Sequence, residues 1–227
     1  GNASVAKKDQ NRRRSSKRDN NPLRERTPLS VPNIAFRRSN NMLSRAFWLS
    51  RPRMTSRAMR MSTSAKAITM EEVQENQKKW AAAIKNMSKV YAEGGDYVQA
   101  AKDAAGELYG YGHFEVLFKP TKSTTTPFRP DGIGALSYFV GCDTVGDAGH
   151  AEDKGFAING GRGWSEVEFN NHQIDLNGPV AIAMGSYTFT DATDGGKGDV
   201  FYTFGYKRCE DGQSRIFLHH SSPPYVE

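Results

Sequence analysis

From Thr69 onward the apolar positions fall into a helical rhythm. Val73, Trp80, Ile84, Met87 and Val90 recur at spacings of three, four and seven, the period of an amphipathic helix. Thr69 followed three residues later by Glu72 is a capping-box pattern, and Gly94-Gly95 stops the helix. Asp96 stands where it can cap a second helix, whose Ala100, Ala101, Ala104 and Ala105 give a small-residue face for close packing on the way to Leu108. From His113 the period changes. His113 to Lys119 reads as a strand halted by Pro120. Gly134 to Val140 is an apolar run of strand length bounded by glycines, with a helical turn as the alternative. Residues 142–155, rich in Gly and Asp, read as a loop. Longer strands follow from Trp164 to Leu176, Pro179 to Thr190 and Asp199 to Cys209. Turns at Asn177-Gly178 and Asp194-Gly195-Gly196 separate them, and Asp211-Gly212 leads into a last strand. Helices first and an antiparallel meander after predict an α+β domain: a cone-shaped, curved antiparallel sheet wrapped around N-terminal helices, enclosing a pocket open at one end.

Residues 1–66 lack this patterning. They hold 17 Lys and Arg against Asp9, Asp19 and Glu25, a charge of +14, so residues 67–227 carry −8 of the net +6. A segment this polar cannot bury enough apolar surface to offset its ordering entropy, and is expected to be a disordered basic tail on an acidic domain. Rich in Arg and Ser and poor in acids, it has the composition of an organelle transit peptide, and Arg57-Ala58-Met59-Arg60-Met61-Ser62 is similar to processing regions of algal plastid precursors. A nucleic-acid-binding arm is the competing reading; aromatic interleaving is confined to Phe36, Phe47 and Trp48, and targeting is favoured, with no nucleic-acid partner. No stretch approaches the about 18 apolar residues of a membrane span. Cys142 and Cys209 do not make a secreted disulfide framework, though one bond between them stays open; a reducing compartment is the default.

The chemistry is concentrated at the end of the chain, in Ile216-Phe217-Leu218-His219-His220-Ser221-Ser222. Alternation puts His219 and Ser221 on one face of the strand, His220 and Ser222 on the other with Ile216 and Leu218. Either face presents one imidazole and one hydroxyl. Adjacent histidines on opposite faces do not share an ion, and His113, His150 and His172 are scattered, so no metal site is expected.

Four stretches in this order, Glu115 to Thr121, Phe128-Arg129-Pro130, Gly134 to Gly141 and His219 to Pro223, resemble the iota class of carbonic anhydrases of diatoms, other algae and some bacteria. The resemblance covers about residues 69–227. It implies a nuclear-transport-factor-2-like fold, reversible hydration of carbon dioxide to bicarbonate, and a homodimer formed through the sheets. Some members work without metal and a diatom member depends on manganese; the missing metal set sides with no cofactor, Mn or Zn being the runner-up. Resemblance also implies a threonine, a tyrosine and a terminal serine that hold bicarbonate or the reacting water. These correspond to Thr121, Tyr138 and Ser222, with His220 beside the serine to accept or relay the proton. Ser222 is preferred to Ser221 because Ile216 and Leu218 make its face fully apolar, whereas Arg215 marks the other as outward; a bulge would reverse the choice. Phe118, Leu136 and Phe139 are candidates to receive the apolar substrate, with His219 and Ser221 as further contacts. Arg129 either binds an anion or pairs with an acid such as Asp131. The location implied is an algal plastid.

Two other classes fit the same fold: a non-catalytic association module, and a small-molecule isomerase. The isomerase needs a carboxylate base in its pocket. None stands clearly on an inward apolar face, since Glu166 and Glu168 alternate with Val167 and Phe169.

Overall fold

The structure, a computed structural model, describes residues 65–226. The basic tail and transit peptide expected over 1–66 lie outside the described residues, apart from its last two positions. The capping box forms: Glu72 N–H donates to Thr69 Oγ1 at 3.3 Å and Thr69 N–H to Glu72 Oε2 at 3.0 Å, starting α1 (Met70–Ala92). Asp96 caps α2 (Tyr97–Leu108) by accepting from Gln99 N–H at 2.8 Å. Then come β1 (Leu117–Lys119), α3 (Gly132–Val140), three 3-10 turns between Cys142 and Gly161, and the long strands β2 (Trp164–Asn177), β3 (Val180–Asp191), β4 (Lys197–Arg208) and β5 (Ser214–Ser222).

The sheet runs β1-β5-β4-β3-β2, an antiparallel meander with the short β1 added parallel to β5. Val73, Trp80, Ile84 and Met87 bury the apolar stripe of α1 in its concave side. Trp80 is the hub. Its ring stacks on Tyr187 at 5.6 Å and meets Phe169, Phe204 and His219 edge-on at 5.7–5.8 Å. Arg208, at the end of β4, pairs with the capping carboxylate of Glu72 at 2.6 Å, tying the start of α1 to the sheet. The α+β cone expected from the patterning is present. Among the described residues no helix is long and apolar enough to cross a membrane.

Three local expectations are corrected. The strand expected from His113 begins only at Leu117, because the chain first turns back at Gly110, whose carbonyl accepts from His113 and Phe114 N–H, and the Phe114 ring lies where a Gly110 side chain would be. The run Gly134 to Val140 is helical: Asp131 Oδ1 accepts from Gly134 N–H at 2.7 Å and caps α3, a signal that hydrophobicity alone does not carry. The first hairpin turn is Gly178-Pro179, one residue later than expected, with Gly178 at φ +57°.

The largest correction concerns β5. Tyr206 pairs with Ile216 and Gly205 with Leu218, so Phe217 is an extra residue, a bulge. Ile216 faces the core; past the bulge the parity reverses, and the inward residues become His219 and Ser221, each 2% exposed. His220 is exposed and Ser222 half-buried, so the expectation that these two face the pocket is overturned. Gly205 makes the bulge possible, since a Cβ there would stand 2.6 Å from the Phe217 ring and 2.9 Å from Leu218 Cβ. Gly205→Ala is therefore expected to cost about 1–3 kcal/mol through overpacking. An unchanged denaturation midpoint would show that this glycine does not hold the register.

Candidate active site

β1 ends at Lys119, and the chain passes through Pro120 to Thr121. β1 runs parallel to β5 with Phe118 opposite His219 and Lys119 opposite His220; beyond Pro120 the chain leaves the strand, and Thr121 turns its side chain to Ser221. Their hydroxyls are 2.8 Å apart. Tyr138 arrives from α3, its hydroxyl accepting from Lys122 N–H at 3.5 Å and lying beside Thr121. Tyr187 arrives from β3, its hydroxyl against both Ser221 and Thr121. Four hydroxyls from four elements thus converge on one spot.

Behind them His219 is buried among rings. Phe118 stacks on it at 4.6 Å and Phe204 meets its edge at 4.1 Å. Tyr109 Oη is 2.7 Å from Nδ1, Tyr187 Oη 3.5 Å from Nε2, and Trp80 Nε1–H donates to Tyr109 Oη at 3.0 Å. Burial, with a smaller contribution from His220, pushes the His219 pKa well below the usual imidazole value, so the ring is neutral. Burial likewise pushes the Tyr138 and Tyr187 hydroxyls well above the usual phenol range, which keeps them protonated. The hydroxyls and the imidazole are neutral hydrogen-bond donors and acceptors, and the nearby Lys119 ammonium donates to the Ser221 carbonyl at 3.3 Å. The cluster can hold a small oxygen-bearing molecule and stabilise negative charge that develops on it.

The loop carrying Thr121 is fastened from outside. Glu152 accepts from the backbone N–H groups of Thr125, Thr124 and Thr126 and from two of their hydroxyls, all at 2.9–3.0 Å, which holds its carboxyl far below the usual range. Arg129, wholly buried, is clamped by Asp153 at 2.5 and 3.2 Å, and Asp153 also accepts from Ser137 Oγ at 2.7 Å. Arg129 is thus a structural ion-pair partner, and its acid is Asp153; Asp131 is occupied capping α3. A cavity of about 110 Å³, walled in part by Lys122, Tyr138 and Phe156, opens towards the Tyr138 side of the cluster.

Of the residues singled out from sequence, Thr121, Tyr138, His219 and Ser221 are brought together, with Phe118 and Phe139 stacked beside them at 5.8 Å. Leu136 is only partly buried on the margin of the core. His220 and Ser222 point away. Trp80, Tyr109 and Tyr187 were missed as polar participants. Their apolar periodicity marks them as core, and only the register reveals what their polar atoms touch. Among the described residues no group of three or more His, Cys, Asp or Glu could hold a metal ion, and Cys142 and Cys209 are both free thiols.

The family described as metal-independent carbonic anhydrase matches residues 71–223. A metal-independent carbonic anhydrase of Nostoc sp. (strain PCC 7120) is 39% identical over 165 residues, spanning 71% of this chain and 77% of that protein. Among solved structures, the iota-carbonic anhydrase from a cyanobacterium, complexed with bicarbonate, matches with a TM-score of 0.65 and 37% identity, covering 71% of this chain and 95% of that one.

The neutral, buried His219 has a consequence for stability. Unfolded, its pKa is about 6.5; folded, it is lower. Below about pH 6.5 the unfolded chain therefore takes up a proton that the folded chain refuses, and stability falls with pH by up to about 1.4 kcal/mol per unit until the folded pKa is reached. Above that window His219 contributes no pH dependence. Denaturation midpoints at pH 7.5 and 5.5 should show a steeper loss in the wild type than in His219→Gln; equal slopes would contradict the burial account.

Proposed function

The chain belongs to the metal-independent carbonic anhydrase family, and from that premise we propose which of its side chains carry the reaction. The enzyme interconverts carbon dioxide and water with bicarbonate and a proton. Zinc anhydrases lower the pKa of a bound water to about 7. Here, hydroxyls take over the task of orienting water and receiving charge. Thr121 and Ser221, 2.8 Å apart, can each accept one hydrogen bond and donate another, so together they hold the attacking water with its lone pair towards the substrate carbon. The new bond forms between the water oxygen and that carbon, one C=O electron pair moves onto oxygen, and the water loses a proton. Tyr138, kept protonated by burial, donates to the oxygen that gains the charge. Thr121 is only partly buried, and the proton leaves to solvent water on its side. Phe118 and Phe139 form the apolar wall that carbon dioxide meets.

The observation that carries this reading is the hydroxyl pair of Thr121 and Ser221 with the two tyrosines set against it. It favours Ser221 over Ser222 and His219 over His220. Two further assignments are part of the proposal. A homodimer is supported by Ile182, Met184 and Phe201, exposed apolar residues on the long strands. A plastid destination in an alga, with 1–66 as transit peptide and 67–227 as the catalytic domain, is supported by the acid-poor composition of the first segment.

Stopped-flow hydration assays separate the alternatives. Ser221→Ala and Tyr138→Phe should each lose about tenfold to several hundredfold in kcat, the range for removing one preorganised donor. Ser222→Ala and His220→Ala should stay within about twofold, as surface substitutions do. Loss in the second pair with activity kept in the first would sink the assignment. Prior treatment with a strong chelator should leave the wild-type rate unchanged.

A further inference from the structure

We infer that Trp80 and Tyr109 fix the direction of a buried hydrogen-bond chain through His219, and that its far end makes the Tyr187 hydroxyl a fourth donor to the reacting oxygens. The inference rests on the reading of Thr121 and Ser221 as the reaction site. An indole N–H can only donate, so the Tyr109 oxygen must accept from Trp80 at 3.0 Å. The single proton of Tyr109 then goes to His219 Nδ1 at 2.7 Å. A neutral imidazole that accepts at Nδ1 carries its hydrogen at Nε2. That N–H points at the Tyr187 oxygen, at 3.5 Å the longest link in the chain, and links of this kind tighten when substrate arrives. With its oxygen engaged as acceptor, Tyr187 has its own proton left for the side where Thr121 and Ser221 lie.

The opposite direction fails on one atom. If His219 carried its hydrogen at Nδ1, the Tyr109 oxygen would receive two donors, Trp80 and His219, and its own proton would have no acceptor. Tyr109 is 3% exposed, and among the described residues its hydroxyl has no other hydrogen-bond partner. An unpaired buried donor is disfavoured. Trp80 acts at both ends, since the ring that starts the chain also stacks on Tyr187 at 5.6 Å with 7° between planes. In this direction His219 is a positioning residue and not the base. It presents an N–H to Tyr187 where a base would present a lone pair.

The tautomer can be read directly. In the wild-type protein at pH 7.5, a long-range ¹H–¹⁵N spectrum, with His219 assigned by its absence from His219→Gln, should show the hydrogen at Nε2; a hydrogen at Nδ1 overturns the proposal without any variant having to fold. Tyr109→Phe should mix the two tautomers and lower kcat about tenfold, the lower end of what outer hydrogen-bond partners contribute at metal sites. Tyr187→Phe should lower it about a hundredfold with KM little changed. Wild-type kcat in either variant overturns the functional half. Failure of the underlying site reading shows differently: Ser221→Ala would keep full activity whatever the tautomer.

Discussion

Two residues of β5, Phe217 and Leu218, share the place opposite Gly205, and the orientation of every reactive group on that strand follows from this crowding. Side chains on a strand alternate with a period of two, so one extra residue exchanges the faces of all that follow. Without it, a core-facing Ile216 would send His220 and Ser222 inward in place of His219 and Ser221. On its other side β5 carries an edge strand of only three residues, β1, and the chain leaving β1 brings Thr121 to Ser221. The missing side chain at position 205 thus acts on a site several residues away by setting parity.

Burial then decides the character of the site. In a nest of aromatic rings, charged forms are disfavoured, which keeps tyrosines protonated and the histidine neutral. A metal enzyme concentrates positive charge at one point. In the proposed mechanism this cluster spreads the same task over several oriented dipoles, which need little reorganisation as charge appears. In the outer clamp the loop of Thr121 is held by Glu152 and by the buried Arg129–Asp153 ion pair, whose bonds would be weaker in water. Removing one partner of such a buried pair typically costs about 3–5 kcal/mol.

Much of the architecture could be read from local chemistry. Thr69 with Glu72, and Asp96 before its alanines, mark their helices through interactions that span only three residues. The long strands announced themselves through alternation and glycine turns. What escaped depended on contacts distant in sequence. The α3 run is apolar on all sides and fits a buried strand as well as a buried helix, and only the Asp131 cap separates them. The partner of Arg129 is 24 residues away. Parity in β5 was inferred from Ile216 and Leu218 together, although Leu218 is outside the core. Thr121 and Tyr138 stand out through their flanking motifs, whereas Tyr109 and Tyr187 do not, because a core tyrosine looks the same in sequence whatever its hydroxyl touches.

His219, Tyr138, Tyr187 and Trp80 belong at once to the packed interior and to the proposed reacting cluster. In many enzymes the scaffold drifts while a few surface loops are preserved for chemistry. Under the proposed reading the two roles fall on the same residues, so a substitution that repacks the interior also disturbs the hydrogen-bond chain. Such a chain has few neutral paths through sequence space at its centre. Its divergence should accumulate on the outer sheet face and in the surface loops.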